Sequence, residues 1–342
     1  MQAKEVNNTF YVLRFFAILA VVMAHSVYTL IPNDTVVKVF NSFGRCGVII
    51  FFIISGYYFR KEKYENVFQL LKAKLKTIVI PWIIWGLAIY CTRFTSTGLY
   101  FNLKEIMLWL LGFGTYLYFL TIYILLLCIF QILPKKSGIQ VILLLCTLIN
   151  VYLVAGNIGP YSVLESTNVR PELIYLLTYL NIFNWIGFFT LGLLLRKLNL
   201  FENKDIFNNI NPRAFIYKIV INLLIISLLV YMILNEKGNT YWTNYSIWIE
   251  MSFFVIFFQV SKLLKDVKYI QEIGKVTMPI YLIHFLIEGF IFNKVLPESI
   301  IMGLIRPLIS VLVVYWLLQL GLFISKKMHL QRLYTTFLGL KS

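Results

Sequence analysis

Residues 8–31, the first long apolar stretch, read NTFYVLRFFAILAVVMAHSVYTLI and carry two ionisable side chains, Arg14 and His25. The stretch exceeds the roughly 20 residues that an α-helix needs to cross a bilayer. The two side chains are about three helical turns apart, which places them on one face, about 16 Å from each other along the axis. A charge at the bilayer centre costs at least ~2.5 kcal/mol, so such side chains normally face a bundle interior or a wet cavity. The stretch therefore predicts a membrane protein with a polar cavity beside its first helix.

The overall composition supports this interpretation. Of the 342 residues, 60% are hydrophobic and only 13% are charged, and the mean hydropathy is +0.79. A soluble domain carries about 25% charged residues. The apolar runs are continuous rather than alternating, which excludes an outer-membrane barrel. We therefore expect an all-α polytopic integral membrane protein, formed by a single membrane domain over residues 1–342 without a separate soluble domain.

Hydropathy divides the chain into about ten transmembrane helices. They are expected at residues 10–31, 43–60, 77–94, 115–133, 138–156, 182–197, 214–235, 244–262, 277–294 and 304–325. Residues 103–114 (LKEIMLWLLGFG) are too short to span alone, so we expect an interfacial or re-entrant helix there, although counting them as a span gives eleven. The polar connection 157–181 is expected to include a short helix in its later part.

The basic residues are distributed unequally between the predicted loops. With the N-terminus in the cytoplasm, 22 Lys and Arg fall on the inner side and eight on the outer side, and Arg14 within the membrane completes the total of 31. This bias predicts that both termini are cytoplasmic and favours ten spans over eleven. It also explains the net charge of +16 without a nucleic-acid partner. The expected location is a cell membrane, most simply a bacterial plasma membrane.

Two further features limit the possible chemistry. The N-terminus has little positive charge ahead of its long apolar run, so we expect that run to remain as the first span rather than to be cleaved as a signal peptide. The four cysteines form no C-x-x-C pair, and the chain has only three histidines. A structural disulfide, a zinc site or a His-rich metal centre is therefore not expected.

His25 and Arg14 are the leading candidates for chemistry. A histidine titrates near neutral pH and can serve as a general base or acid, and Arg14 can stabilise a negative group such as a thioester oxygen or a phosphate. The alternative for His25 is a structural histidine that is hydrogen-bonded inside the bundle. The alternative for Arg14 is an ion pair with an intramembrane acid, for which Glu250 in the eighth span is a candidate.

Two pairs of residues inside predicted spans favour structural roles. Ser55 and Gly56, near the inner end of the second span, favour a close helix contact over a nucleophilic serine, because no G-x-S-x-G motif surrounds them. In the ninth span, His284 and Glu288 are four residues apart. That spacing places them on one helix face and favours an intrahelical pair.

The inner loop 60–76 ends in three lysines, Lys72, Lys74 and Lys76, just before the third span. Such residues normally set topology and contact anionic membrane lipids. The six basic residues of this loop would also suit the phosphates of a cytosolic donor such as coenzyme A. The charge count alone does not separate these two interpretations.

Five segments occur in an order that is similar to a known family. They are residues 14–25 (RFFAILAVVMAH), 45–56 (RCGVIIFFIISG), 118–120 (YFL), 181 with 187–196 (GFFTLGLLLR) and 273–284 (IGKVTMPIYLIH). The first resembles the opening signature of the membrane acyltransferase 3 family, in which an Arg and a His have this separation. The other four resemble later motifs of that family, and the resemblance covers nearly the whole chain.

This resemblance implies about ten helices that transfer an acyl group from cytosolic acyl-CoA to a hydroxyl of a cell-surface glycan or its lipid-linked precursor. Carried over by position, Arg14 and His25 are the catalytic pair. Lys72, Lys74 and Lys76 correspond to the donor-binding motif, where the family has Arg. Acetyl-CoA, or another short acyl-CoA, would be a substrate, and no permanently bound cofactor is expected.

The remaining candidate residues are expected on the acceptor side or in supporting roles. They are Arg45, Ser55, Tyr118, Asn181, Glu250 and His284. His25 would act as general base on the acceptor hydroxyl or would carry the acyl group transiently. The alternative from another class is a transporter or flippase of a glycan precursor or small metabolite, although no inverted repeat of broken helices is apparent. A sensor or assembly subunit ranks last.

Overall fold

The computed structural model describes residues 2–26, 34–97, 102–165, 168–199, 212–236, 241–288 and 299–340. Regular structure within these ranges is helical, with no strand among them, so the predicted all-α class is confirmed there. The α-helices are α1 (Gln2–Ser26), α2 (Asp34–Tyr58), α3 (Val67–Lys74), α4 (Ile80–Thr97), α5 (Leu103–Leu111), α6 (Tyr118–Ile132), α7 (Ser137–Ala155), α8 (Pro171–Thr178), α9 (Ile186–Lys197), α10 (Pro212–Asn235), α11 (Ser246–Leu263), α12 (Lys268–Lys275), α13 (Thr277–Ile287), α14 (Ile300–Lys327) and α15 (Gln331–Phe337).

Several of these helices are long and apolar enough to cross a bilayer. Six such segments lie in the described ranges: Glu5–Ser26, Thr35–Tyr58, Val67–Thr92, Ser137–Leu164, Ser246–Leu263 and Ile301–Lys327. Pro171–Thr178 and Ile182–Lys197 form a further candidate that is bent by 42°. Three shorter apolar helices are Tyr118–Ile132, Val220–Asn235 and Thr277–Ile287. The helices fit a multi-pass membrane protein, whereas the ten-span count and the cytoplasmic termini stay predictions.

The first helix occupies the centre of the bundle. Of the most apolar window of α1, 67% of the residues are buried, against 17% for the segment that contains α7. α1 contacts α2, α11, α12, α13 and α14, so its side chains face other helices in nearly every direction. α7 instead exposes a row of large apolar residues, including Ile142, Leu145 and Ile149, which suits a surface against lipid.

Two predicted boundaries were wrong. α2 begins at Asp34 rather than at residue 43, so Arg45 lies well inside a helix. The segment from residue 67 to 76, expected as loop, is helical, because the Asn66 side chain accepts from the Gln69 N–H and caps α3. A π-helical turn, Leu75–Val79, then joins α3 to α4. Residues 27–31 and 289–294, the ends of the predicted first and ninth spans, lie outside the described residues.

The two short helices predicted from sequence are confirmed. α5 has nine residues and ends at Gly112, whose φ of 101° is the left-handed conformation that stops a helix. α8 begins with Pro171 in its first turn, where the missing N–H costs nothing. Both are too short to cross a bilayer alone.

α2 and α9 cross at two glycines. A Cβ on Gly56 would meet the backbone carbonyl of Phe189, and one on Gly192 would meet that of Ile53. The close helix contact predicted at Gly56 is therefore confirmed. Arg196, at the end of α9, donates to the Phe59 carbonyl. This bond satisfies a backbone acceptor just beyond the end of α2. The end of α2 also contacts the start of α1, where the Tyr58 hydroxyl donates to Asn7 at 2.7 Å.

Candidate functional site

A cavity of about 520 Å³ opens where α1 begins and α2 ends. Its wall is completed by α3, α6 and the start of α13. The basic side chains on this wall are Arg14, Arg60, Lys63, Lys74 and Lys275, and no Asp or Glu is among the described residues that line it. Lys275 is paired with Glu272 at 2.6 Å, whereas the other four cations form no ion pair with a carboxylate among the described residues, so the local potential is strongly positive. The cavity is therefore suited to an anionic ligand.

Arg14 projects into this cavity from the central helix. Its guanidinium carbon lies 5.9 Å from the ring centroid of Tyr11 and 5.5 Å from that of Tyr58, within the range of a cation–π contact. The alternative role of Arg14, an ion pair with Glu250, does not occur, because the electrostatic neighbours of Glu250 are Arg45 and Glu236. Arg14 forms no ion pair with a carboxylate of the described chain, and so its donors face the cavity.

The three predicted donor-binding lysines do not all reach the cavity. Lys74 lines the cavity and is half-buried, whereas Lys72 and Lys76 are exposed and outside it. Residues two apart on an α-helix point about 200° from each other, so a helical Lys74 turns inward and its neighbours turn outward. The structure thus brings only Lys74 of this group to the ligand space.

Ser55 also lies on the cavity wall, one helix away from Arg14. Its hydroxyl donates to the Phe51 carbonyl at 2.6 Å, a bond to the preceding turn that is common for serine in helices. The hydroxyl of Tyr123 is its other polar neighbour. No base activates Ser55 as a nucleophile among these neighbours, which agrees with a structural or ligand-contacting role.

His25 lies near the opposite end of α1, outside the basic cavity. Its ring is 5.2 Å from that of His284 and 5.9 Å from those of Tyr116 and Phe285, measured between centroids. The structure therefore joins two histidines that the sequence separates by more than 250 residues. Neither of them belongs to a group of three metal-ligating side chains among the described residues.

Tyr281 separates the cavity from the two histidines. It lines the cavity on one side, and its ring lies 5.9 Å from that of His284 on the other. Its hydroxyl donates to the Tyr116 carbonyl, which fixes the ring in this position. Tyr281 therefore contacts both the cavity and the histidine pair.

The predicted pair between His284 and Glu288 was wrong. His284 Nδ1 lies 2.7 Å from the carbonyl oxygen of Tyr281, one turn earlier on the same helix. Glu288 is instead paired with Arg306 of α14, with 3.5 Å between Oε2 and Nε. Arg306 compensates the Glu288 charge, and this leaves His284 available to His25.

Arg45 forms its ion pair away from the cavity. Its guanidinium forms an ion pair of 2.5 Å with Glu236, and only 10% and 6% of the two side chains are exposed. Ser42 donates to the same carboxylate at 3.0 Å. Glu250 is fully buried nearby, and its two carboxylate oxygens have no hydrogen-bond partner among the described residues. This cluster ties α2 to the end of α10 and to α11.

Tyr118 and Asn181 occupy a second region that does not line the basic cavity. Tyr118 is buried against Tyr179 and Trp185, with ring centroids 5.0 and 5.8 Å away. Asn181 accepts from the Phe183 N–H at 3.0 Å and donates to the Tyr161 hydroxyl at 2.6 Å. Both side chains shape the connection between α7 and α9.

Four cavity residues were missed as site candidates: Arg60, Lys63, Lys275 and Tyr281. Arg60 and Lys63 belong to the inner loop 60–76, whose basic residues as a group are a possible anion site in the sequence, whereas Lys275 counts there only as a basic residue of the predicted inner side. Their common side of the membrane was the available signal, but their convergence on one cavity depends on how α2, α3 and α12 pack around α1.

The four cysteines are free, and Cys46 is buried in the bundle.

Comparison with known proteins supports the resemblance noted from the motifs. The model of an acyltransferase domain family, acyltransferase 3, matches residues 7–325. No curated protein and no solved structure matches the chain. The family match includes both Arg14 and His25, the cavity wall and the helix that carries His284. The chain therefore belongs to the acyltransferase 3 family of membrane acyltransferases.

Proposed function

We propose that this membrane acyltransferase transfers an acyl group, in the simplest case acetyl, from cytosolic acyl-CoA to a hydroxyl of an extracytoplasmic cell-surface glycan or its precursor. The observation that carries this proposal is the cavity with five basic side chains and no lining acid. The donor of an acyl-CoA reaction is a multiply phosphorylated anion, and such a cavity complements it.

The order of the cavity residues suggests how the donor binds. Lys63, Lys74 and Lys275 contact its phosphates, and the pantetheine arm extends along the apolar wall of Phe51 and Phe119 towards Tyr281. Arg14, on the cavity wall, binds the donor beside its pantetheine arm. On this assignment the cavity mouth faces the cytoplasm, as the inner-side excess of Lys and Arg predicts.

His25 then acts as the general base towards the acceptor. Its imidazole takes the proton of the acceptor hydroxyl as the oxygen bonds to the thioester carbon. The C–S bond breaks, and the departing CoA thiolate receives the proton. Because His25 lies about three turns from Arg14 along α1, donor and acceptor approach the reaction from opposite ends of the bundle, on the two sides of Tyr281.

Membrane vesicles from cells that make the native acceptor provide the test. We expect radiolabel from acetyl-CoA to appear in the glycan fraction, and His25→Ala to lower that rate by about 100-fold or more. His329→Ala is the control, because His329 is an exposed histidine near the C-terminus. Full acylation by a correctly inserted His25→Ala variant would overturn the proposal. Glycan movement across the membrane without covalent label would also overturn it and favour a transporter.

A further inference from the structure

The hydrogen bonding of His284 determines which of its ring nitrogens carries the proton. Nδ1 lies 2.7 Å from the Tyr281 carbonyl oxygen, and a carbonyl oxygen only accepts hydrogen bonds. Nδ1 of the neutral ring therefore carries the hydrogen, and Nε2 is left as an acceptor. Nε2 is buried and has no hydrogen-bond partner among the described residues.

His25 is the group placed to use this acceptor. The two rings lie 5.2 Å apart between centroids, inclined by 42°, so a rotation of the His25 ring that turns one nitrogen towards Nε2 brings the two nitrogens within hydrogen-bond distance. Neither of the other two ring neighbours of His25 donates a hydrogen bond to it. Phe285 has no polar side-chain atom, and the Tyr116 hydroxyl already donates to the Leu282 carbonyl at 3.0 Å.

We propose that His284 is the positioning residue of His25. Its Nε2 accepts the N–H of His25, which fixes the ring orientation and tautomer of His25 and leaves the other His25 nitrogen unprotonated for the acceptor hydroxyl. Catalytic bases are commonly oriented in this way by a third group. Here the orienting group is a neutral imidazole rather than a carboxylate, so it adds no negative charge inside the membrane. This inference rests on the proposed function.

Two substitutions of His284 separate positioning from packing. In His284→Asn the side-chain amide can still donate to the Tyr281 carbonyl, but it is too short to provide the acceptor at the Nε2 position. In His284→Gln the amide oxygen can reach that position. We measure labelled acetyl transfer in the vesicle assay, with kcat and the KM for acetyl-CoA determined for each variant.

We expect His284→Asn to lower kcat by about 100-fold with the KM for acetyl-CoA changed by no more than about twofold. His284→Gln should recover at least about tenfold of that loss. Equal losses in both variants would indicate a packing role and overturn the inference, as would full activity of His284→Asn. If His284→Asn does not fold, a His284→Gln variant that folds but is as inactive as His25→Ala overturns it.

The outcomes of this test distinguish failure of the positioning role from failure of the proposed function. If His25→Ala is inactive while His284→Asn is fully active, the acyl-transfer proposal stands and only the positioning role is lost. If His25→Ala is fully active, the proposed function itself fails. The exposed His329 again provides the control, since His329→Asn makes the same chemical change outside the bundle.

Discussion

Lys74 differs from Lys72 and Lys76 in what its side chain faces. It lines the basic cavity, while the other two are exposed. We expect Lys74→Ala to raise the KM for acetyl-CoA by about tenfold, since a hydrogen bond to a charged group contributes about 1.5–3 kcal/mol. Lys72→Ala and Lys76→Ala are matched controls that should change KM by no more than about twofold, because exposed charges are screened. Equal effects of all three would contradict the orientation of α3.

Arg45 is expected to contribute to the stability of the protein. Its ion pair with Glu236 is almost completely buried, and breaking a buried pair by removing one partner costs about 3–5 kcal/mol. We expect Arg45→Met to lower the free energy of unfolding by that amount in detergent, measured by chemical denaturation. The double variant Arg45→Met/Glu236→Gln should regain most of the loss, because it also removes the Glu236 carboxylate that Arg45→Met leaves unpaired. A double variant as unstable as Arg45→Met would contradict this account.

At the scale of elements, the crossing of α2 and α9 depends on the absence of side chains at Gly56 and Gly192. A methyl group at Gly192 would meet the Ile53 backbone, which cannot move aside as a flexible side chain would. Overpacking of this kind costs about 1–3 kcal/mol. We therefore expect Gly192→Ala to lower the thermal midpoint in detergent.

The matched control for this substitution is Gly138→Ala, at the start of α7. A Cβ on Gly138 meets no atom within 4 Å, and alanine favours the helix by about 0.8–1 kcal/mol over glycine. Gly138→Ala should therefore leave the thermal midpoint unchanged or raise it. A Gly192→Ala protein as stable as Gly138→Ala would show that the helices do not approach as closely as described.

At the scale of the whole molecule, the membrane topology stays a prediction that labelling can test. In a variant without its four native cysteines, Lys136→Cys and Glu172→Cys place single thiols at exposed positions on opposite predicted sides. An impermeant maleimide should label Glu172→Cys in intact cells and Lys136→Cys only after permeabilisation. Labelling of both positions in intact cells, or the reverse pattern, would contradict cytoplasmic termini and ten spans.

Much of the architecture follows from local patterns in the sequence. Continuous apolar runs predicted the helices, and short apolar length identified α5 and α8, because bilayer thickness sets a minimum span. The start of α3 does not follow from these patterns, because lysines ahead of an apolar run are typical of a loop, whereas the Asn66 cap begins a helix there. Hydropathy weighs each residue alone and does not register a capping bond.

The sequence by itself determined the family, the helical class and the polar pair on the first helix, since order along one chain and periodicity on one helix are local properties. Only the tertiary structure decided that Lys74 rather than Lys72 faces the cavity, that Arg45 pairs with Glu236, and that His284 meets His25. These partners lie far apart in sequence. The helix packing that joins them depends on side-chain shape and close backbone approach, which no local pattern encodes.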